Sequence, residues 1–375
     1  MLDYRKSDQI VTRPFLFNGK FLTASPTGVH RVAAELISGL DKLVTEQPRE
    51  QWKSARLITP RNARQMHLKT IQQSSSGLFT WQPWEQIDLP VLARKSLLIN
   101  LCNLAPLMAP ACITMIHDAQ VFLTPESYTP AFRSFYQFML PRIGSASAAI
   151  LTVSEYSKKE LVRFGVASED KIKVIHNGGD HILACEAETS IVAKLGLDPY
   201  KYVVALANTQ AHKNISILFS AFSQDTMEKV RLVLIGKASK KEFESAGLVP
   251  PANTVFAGAV TDGQFRALME QAAALAFPST TEGFGLPPLE AMYVGCPVVA
   301  APCGALPEVC GNAAAYVAPD DALGWAAALL KLIEDERLRR TAIDLGVKQA
   351  KNFTWVASAR KLQNIIEVVS KTIDL

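Results

Sequence analysis

Ten short apolar runs, most of them rich in β-branched residues, alternate along this chain with segments of helical periodicity. That alternation leaves few folds open. The runs are Leu57-Ile58, Leu97 to Leu101, Ile113 to Ile116, Ala149 to Val153 and Ile172 to Ile175, then Tyr202 to Leu206, Arg231 to Ile235, Val255-Phe256, Ala273 to Phe277 and Val298-Val299. Between most of them apolar residues fall at helical spacing, as in Val29 to Leu43, Phe132 to Ile143, Lys158 to Phe164, Ile215 to Phe222, Gln264 to Gln271 and Pro288 to Val294. Strands apolar on both faces are covered on both faces, and strands alternating with helices build parallel sheets through crossovers. The signal lapses in a polar stretch between Gly178 and Asp198 and then starts afresh at Tyr202. The expected architecture is therefore α/β, with two Rossmann-like, doubly wound parallel-sheet domains facing across a cleft. We place the first domain at 1–185 and the second at 186–354. Residues 355–375 read as an amphipathic helix packing back on the first domain.

Composition fits this plan. Hydrophobic residues make up 49% and charged residues 20% of 375, too apolar for a disordered chain. Either buried sheets or a membrane could explain the excess. The longest uncharged run, Ser96 to Ile116, contains Asn100, Asn103, Pro106 and Pro110, which reads better as two strands and a loop than as a spanning helix. The first ten residues, MLDYRKSDQI, lack the apolar core of a signal peptide, so the expected location is cytoplasmic. The six cysteines include no C-x-x-C pair and are expected to be reduced, structural thiols.

Charge is unevenly spread. Residues 1–180 carry 21 Lys or Arg against 15 Asp or Glu, and the remainder 18 against 20. The densest basic stretch runs from Arg49 through Lys53, Arg56, Arg61 and Arg64 to Lys69. It is either a solvated face or one that meets an anionic acceptor or lipid surface. No nucleic-acid-binding motif accompanies it, and nucleic acid is not an expected partner.

The chemistry concentrates between Phe277 and Val299, FPSTTEGFGLPPLEAMYVGCPVV. A strand runs into a loop with Gly283 and Gly285, and a helix starts near Pro287 or Pro288, where a missing N–H costs nothing. Free N–H groups at such a helix start attract a phosphate, and glycines let the main chain approach it. Glu282 and Glu290 bracket the loop. Carboxylates beside a phosphate site are suited to sugar or ribose hydroxyls. A glycine-rich turn with a solvated Glu is the plain alternative.

The pattern E-G-F-G-L-P-x-L-E, followed by A-M-x-x-G-x-P-V-V, resembles the signature of family 4 retaining GT-B glycosyltransferases of the bacterial glycan-assembly type. TVSEYSKKEL (Thr152 to Leu161), VIHNGGD (Val174 to Asp180), HKN (His212 to Asn214) and ALPEVCGNAAAYVAPDD resemble further elements of that family, as do SPTGVHRVAAEL (Ser25 to Leu36) and IHDAQVF (Ile116 to Phe122). Residues 45–95 resemble nothing placed. The resemblance implies that Gly28 brings main-chain N–H to the donor phosphates and that Lys213 neutralises the diphosphate leaving group. Glu282 would hold donor-sugar hydroxyls, with the N–H groups of the loop at Gly283, Phe284, Gly285 and Leu286 on sugar and phosphate. Glu290 would take the ribose hydroxyls. His117 would stand near the reacting sugar, unless it is a satisfied structural histidine, and Asp118 would either orient it or cap the next loop. Many relatives carry Arg before the lysine or a few positions earlier. This chain has His212 there, so that cation is missing or comes from Arg31 or another first-domain base. Trp81 and Trp84 either stack on an acceptor sugar or form an apolar cluster.

The function so implied is transfer of a sugar, a hexose by expectation, from a nucleotide-sugar donor to an acceptor hydroxyl with retained configuration, in bacterial exopolysaccharide or lipopolysaccharide assembly. The sequence has no D-x-D triplet, so neither a metal nor another cofactor is expected. The acceptor is expected to be a glycan or lipid-linked glycan, with peripheral contact to an anionic membrane. A nucleotide-sugar epimerase or hydrolase of the same fold, and a non-catalytic partner subunit, remain as alternatives.

Overall fold

The structure, a computed structural model, describes residues 13–109 and 111–373. The amino terminus that was read for a signal peptide, and Pro110, lie outside the described residues.

Two parallel sheets stand side by side in sequence. The first joins β1 (Phe15–Asn18), β2 (Arg56–Thr59), β3 (Gln72–Ser75), β4 (Leu97–Asn100), β5 (Cys112–Met115), β6 (Ala149–Thr152) and β7 (Ile172–Val174) in the order 3-2-1-4-5-6-7. The second joins β8 (Tyr202–Leu206), β9 (Arg231–Ile235), β10 (Thr254–Gly258), β11 (Ala274–Phe277), β12 (Val298–Ala300) and β13 (Ala314–Tyr316) in the order 10-9-8-11-12-13. Each order reverses once, between β1 and β4 and between β8 and β11. In doubly wound sheets, ligands bind outside the carboxyl ends of the strands at such a reversal. The expected fold class is the one observed.

All ten expected strands are present, and three more join them. β1 (FLFN) is fully buried at the centre of its sheet, whereas β3 (QQSS) is a polar edge strand and β13 (AAY) an alanine-rich edge. The helices start where side-chain caps dictate. Thr27, Thr129, Ser154, Thr261 and Thr354 each accept an N–H from the first turn, satisfying donors that a helix leaves free. The last helix, Trp355–Thr372, lies against Gly28–Glu46 so closely that a Cβ on Gly39 would sit 3.0 Å from that of Ala359.

Part of the basic stretch is engaged by partners within the chain, at its surface. Arg49 pairs with Glu367 at 2.8 Å, Lys53 with Glu50 at 2.6 Å, and Arg64 donates to the carbonyls of Leu22 and Ala24. All six cysteines are free, and burial pushes the Cys296 and Cys310 thiols up to about 12. Among the described residues no helix is long and apolar enough to cross a membrane.

Candidate active site

The loops after β8 and β11 are laced together at the reversal of the second sheet. Asn214, held at φ +52°, donates to the carbonyls of Pro278 and Pro319, and the Thr280 N–H donates to the His212 carbonyl at 2.8 Å. These bonds swing Lys213 over the β11 loop. Its Nζ lies 2.6 Å from Glu282 Oε1, with the two side chains 23% and 12% exposed. The loop then turns at Gly285, at φ +99°, into the helix Leu286–Tyr293, with prolines in its first turn. Gly304, at φ +62°, lies directly under the carboxylate-bearing residue. A Cβ there would fall 2.5 Å from the Glu282 nitrogen and 2.6 Å from its carbonyl oxygen.

The first sheet closes this site from the other side. The loop after β5 carries His117 and Asp118, and a Cβ on Gly283 would lie 2.8 Å from Asp118 Cβ, so glycine is needed for contact. Ser154 and Ser157 both donate to the Gly283 carbonyl, at 2.6 and 3.1 Å, and Gln120 donates to that of Thr281 at 3.1 Å. Glu308 of the second lobe accepts the free N–H groups of Glu155 and Tyr156 and faces His176 at 2.7 Å. Burial raises its carboxyl, but these donors outweigh burial and hold it below the usual range.

His117 is buried, and Nε2 lies 2.9 Å from the Leu101 carbonyl. A carbonyl only accepts, so the ring proton sits on Nε2 and Nδ1 keeps its lone pair for a hydroxyl. Burial, opposed by that bond, brings its pKa down to about 4. Asp118 does not orient it. Its Oδ1 instead caps the next turn by accepting the Gln120 N–H at 3.0 Å, and burial raises its carboxyl, with Glu282 adding to the rise.

This yields a pH prediction. The unfolded histidine takes a proton below about 6.5, the folded one only near 4, so stability falls as pH drops through that window. The contribution at stake is roughly 3 kcal/mol. Thermal melts from pH 7 to 4 should show a shallower loss for His117→Asn than for the wild type; equal slopes count against a buried neutral His117.

Of the other residues singled out above, Glu290 is buried and its Oε1 lies 2.9 Å from His181 Nε2. The Trp355 indole donates to His181 Nδ1 at 3.0 Å, which fixes the proton on the nitrogen facing Glu290. The Phe284 side chain turns into the core, edge-on to Phe353. Leu286 opens the following helix, partly buried. Gly28 is exposed at the start of its helix, with nothing within 4 Å of its Cβ position. Arg31, offered as a substitute phosphate cation, instead donates from Nη2 to both carboxylate oxygens of Asp262 of the second lobe, at 2.7 and 2.9 Å. His212 is buried and paired with Ser127 Oγ at 2.8 Å. Trp84 is fully buried, so it cannot stack on a sugar; Trp81 is 78% exposed. Sequence reasoning did not single out Ser154, Ser157 or Gly304. The serines and Gly304 lie in or beside the resembling segments, but their partners are distant in sequence.

Residues 188–349 match the family described as glycosyl transferases group 1. That match falls on the second lobe. Among curated relatives, the O-antigen chain mannosyltransferase B of Escherichia coli is 31% identical over 254 residues, 65% of this chain and 66% of that protein. The serotype-specific mannosyltransferase WbdA of the same species is 29% identical over 264 residues, 66% of this chain and 32% of that protein. The chain thus spans under two thirds of the length of WbdA and about that share of the first. Among solved structures, sucrose-phosphate synthase from Thermosynechococcus elongatus superposes with a TM-score of 0.73 at 17% identity, covering 96% of this chain and all of that one. HepE of Anabaena, solved with UDP and glucose, gives 0.70 at 19%, covering 95% and 99%. The fold is GT-B, and Lys213, Glu282 and Glu290 all lie in its second lobe.

Proposed function

We propose that this protein transfers a hexose from a nucleotide-sugar donor to a hydroxyl of a growing bacterial surface glycan, with retained configuration and no metal. The observation that carries this reading is the Lys213–Glu282 pair at the reversal of the second sheet, beside a glycine turn and a helix start. The names of the curated relatives favour mannose and O-antigen assembly. Lys213 supplies positive charge where the diphosphate departs, the work a divalent ion does elsewhere. Glu282 takes donor-sugar hydroxyls, Glu290 the ribose, and main-chain N–H groups at Gly28, Gly283, Phe284, Gly285 and Leu286 the sugar and phosphates.

In the step itself the bond from the anomeric carbon to the phosphate oxygen breaks. A bond to the acceptor oxygen forms on the same face, and the acceptor's proton passes to the leaving phosphate. His117 Nδ1 accepts from a hydroxyl beside the reacting carbon. The net basic first lobe favours work in the cytoplasm against an anionic membrane face, where a lipid-linked glycan would be met.

Melting curves with UDP-, GDP-, ADP- and dTDP-sugars should show one class raising stability, since a ligand of the native state stabilises it. That donor should be consumed only when acceptor is present, EDTA should leave the rate unchanged, and proton NMR should show the product with the donor's anomeric configuration. Donor turnover without acceptor would mark an epimerase or hydrolase instead.

A further inference from the structure

At the reversal of the first sheet, between β1 and β4, lies a cavity of about 170 Å³. That is room for about five or six waters at ~30 Å³ each, or one sugar ring. Asn18 and Lys20, after β1, form one wall, and Leu101 and Cys102, after β4, another; Gln82 and Glu85 close it. Glu85 is the unusual member. Its side chain is 3% exposed, its Oε2 lies 2.5 Å from Lys20 Nζ, and its Oε1 accepts from Asn18 Nδ2 at 3.0 Å. It stands in a single π-helical turn, Trp84–Asp88, four residues beyond a Trp81 forced to φ +59°. π-turns and strained non-glycine residues concentrate at functional sites, and a buried ion pair stabilises a fold little more than apolar residues of equal volume. The pair is therefore poorly explained by stability.

We propose that this cavity is the subsite for the terminal sugar of the acceptor, with Glu85 accepting from neighbouring hydroxyls and Lys20 donating to a third oxygen. The assignment rests on the transferase reading above and adds where the acceptor sits. One cation and one anion make the lining neutral, so an anion would meet Glu85 and an ammonium Lys20, and an uncharged sugar suits both. Phe21, Leu104 and the Tyr136 ring supply apolar surface for the C–H face of a pyranose. His30 keeps an acceptor for a hydroxyl, because its Nδ1 faces the Ser25 carbonyl at 3.1 Å. Leu101, which lines the cavity, also carries the carbonyl that holds His117. The subsite thus adjoins the transfer site.

Saturation-transfer NMR with a panel of methyl α- and β-pyranosides of mannose, glucose, galactose and N-acetylglucosamine tests binding without turnover. At least one glycoside should give signals with the wild type that fall by fivefold or more in Glu85→Gln. They should fall likewise in Gln82→Trp, which plugs the mouth from an exposed position and keeps the test open should the buried substitution misfold. In transfer assays both variants should raise the acceptor KM at least tenfold and leave the donor Kd unchanged. No signal with the wild type, or signals and KM equal in all three proteins, overturns the subsite. Signals lost in the variants together with no transfer by the wild type overturn the transferase reading and leave the sugar site standing.

Discussion

Lys213→Ala and Glu282→Ala should each lower turnover by about 10² to 10³, the usual effect of removing one group that stabilises charge in a transition state. The two losses should not add. With Nζ and Oε1 2.6 Å apart, each residue is the other's charge partner. On the proposed roles, removing Lys213 takes away the cation for the leaving diphosphate and also leaves a nearly buried carboxylate beside Asp118, whose own carboxyl Glu282 already pushes upward. Removing Glu282 frees the lysine but, on the proposed role, abandons the sugar hydroxyls. The double variant should therefore be little worse than either single one, the behaviour of residues acting as a unit. Rate measurements at saturating donor, with melting curves to confirm folding, check this. Near-normal turnover in both single variants would refute the assignment of the site.

How much of this could be read beforehand differs between the fold and the site. β11 and β8 announce themselves because a strand covered on both faces must be apolar throughout. β3 does not, since QQSS at an edge needs only its backbone to pair with β2. β13 fails for a related reason: two alanines and a tyrosine at the sheet edge carry no strand signal of their own. In the site, Lys213, Glu282 and Glu290 sit in local patterns, where a strand end, a glycine turn and a helix start follow one another within a few residues. Their partners do not. His181 meets Glu290 only because the connection between the sheets passes beneath the helix Leu286–Tyr293. Ser154 finds Gly283 across 129 positions of sequence. Such contacts depend on how the two lobes close, and no window of sequence contains both members. Glu85 is the extreme case, a buried charge in a segment without a recognisable pattern.

Gly304→Ala should be the most damaging single methyl group near the site, and Gly196→Ala shows why. Both glycines sit at φ +62°, but a Cβ on Gly196 meets nothing within 4 Å, whereas one on Gly304 falls 2.5 Å from the Glu282 backbone. The shared left-handed backbone costs an alanine about 1–2 kcal/mol. Gly196→Ala should therefore lower stability by about that amount and leave turnover unchanged. Gly304→Ala carries the same strain and must also push the Glu282 main chain aside, together with the Ala305 N–H that donates to its carbonyl at 3.0 Å. A displacement approaching 1 Å at a positioned group costs on the order of 10² in rate, so turnover should fall by that factor, beyond the stability loss seen at Gly196. Measuring melting and kcat for both variants separates the two terms. Equal kcat values would mean that the β11 loop absorbs the methyl without moving Glu282, and that Gly304 is required by its backbone angle alone.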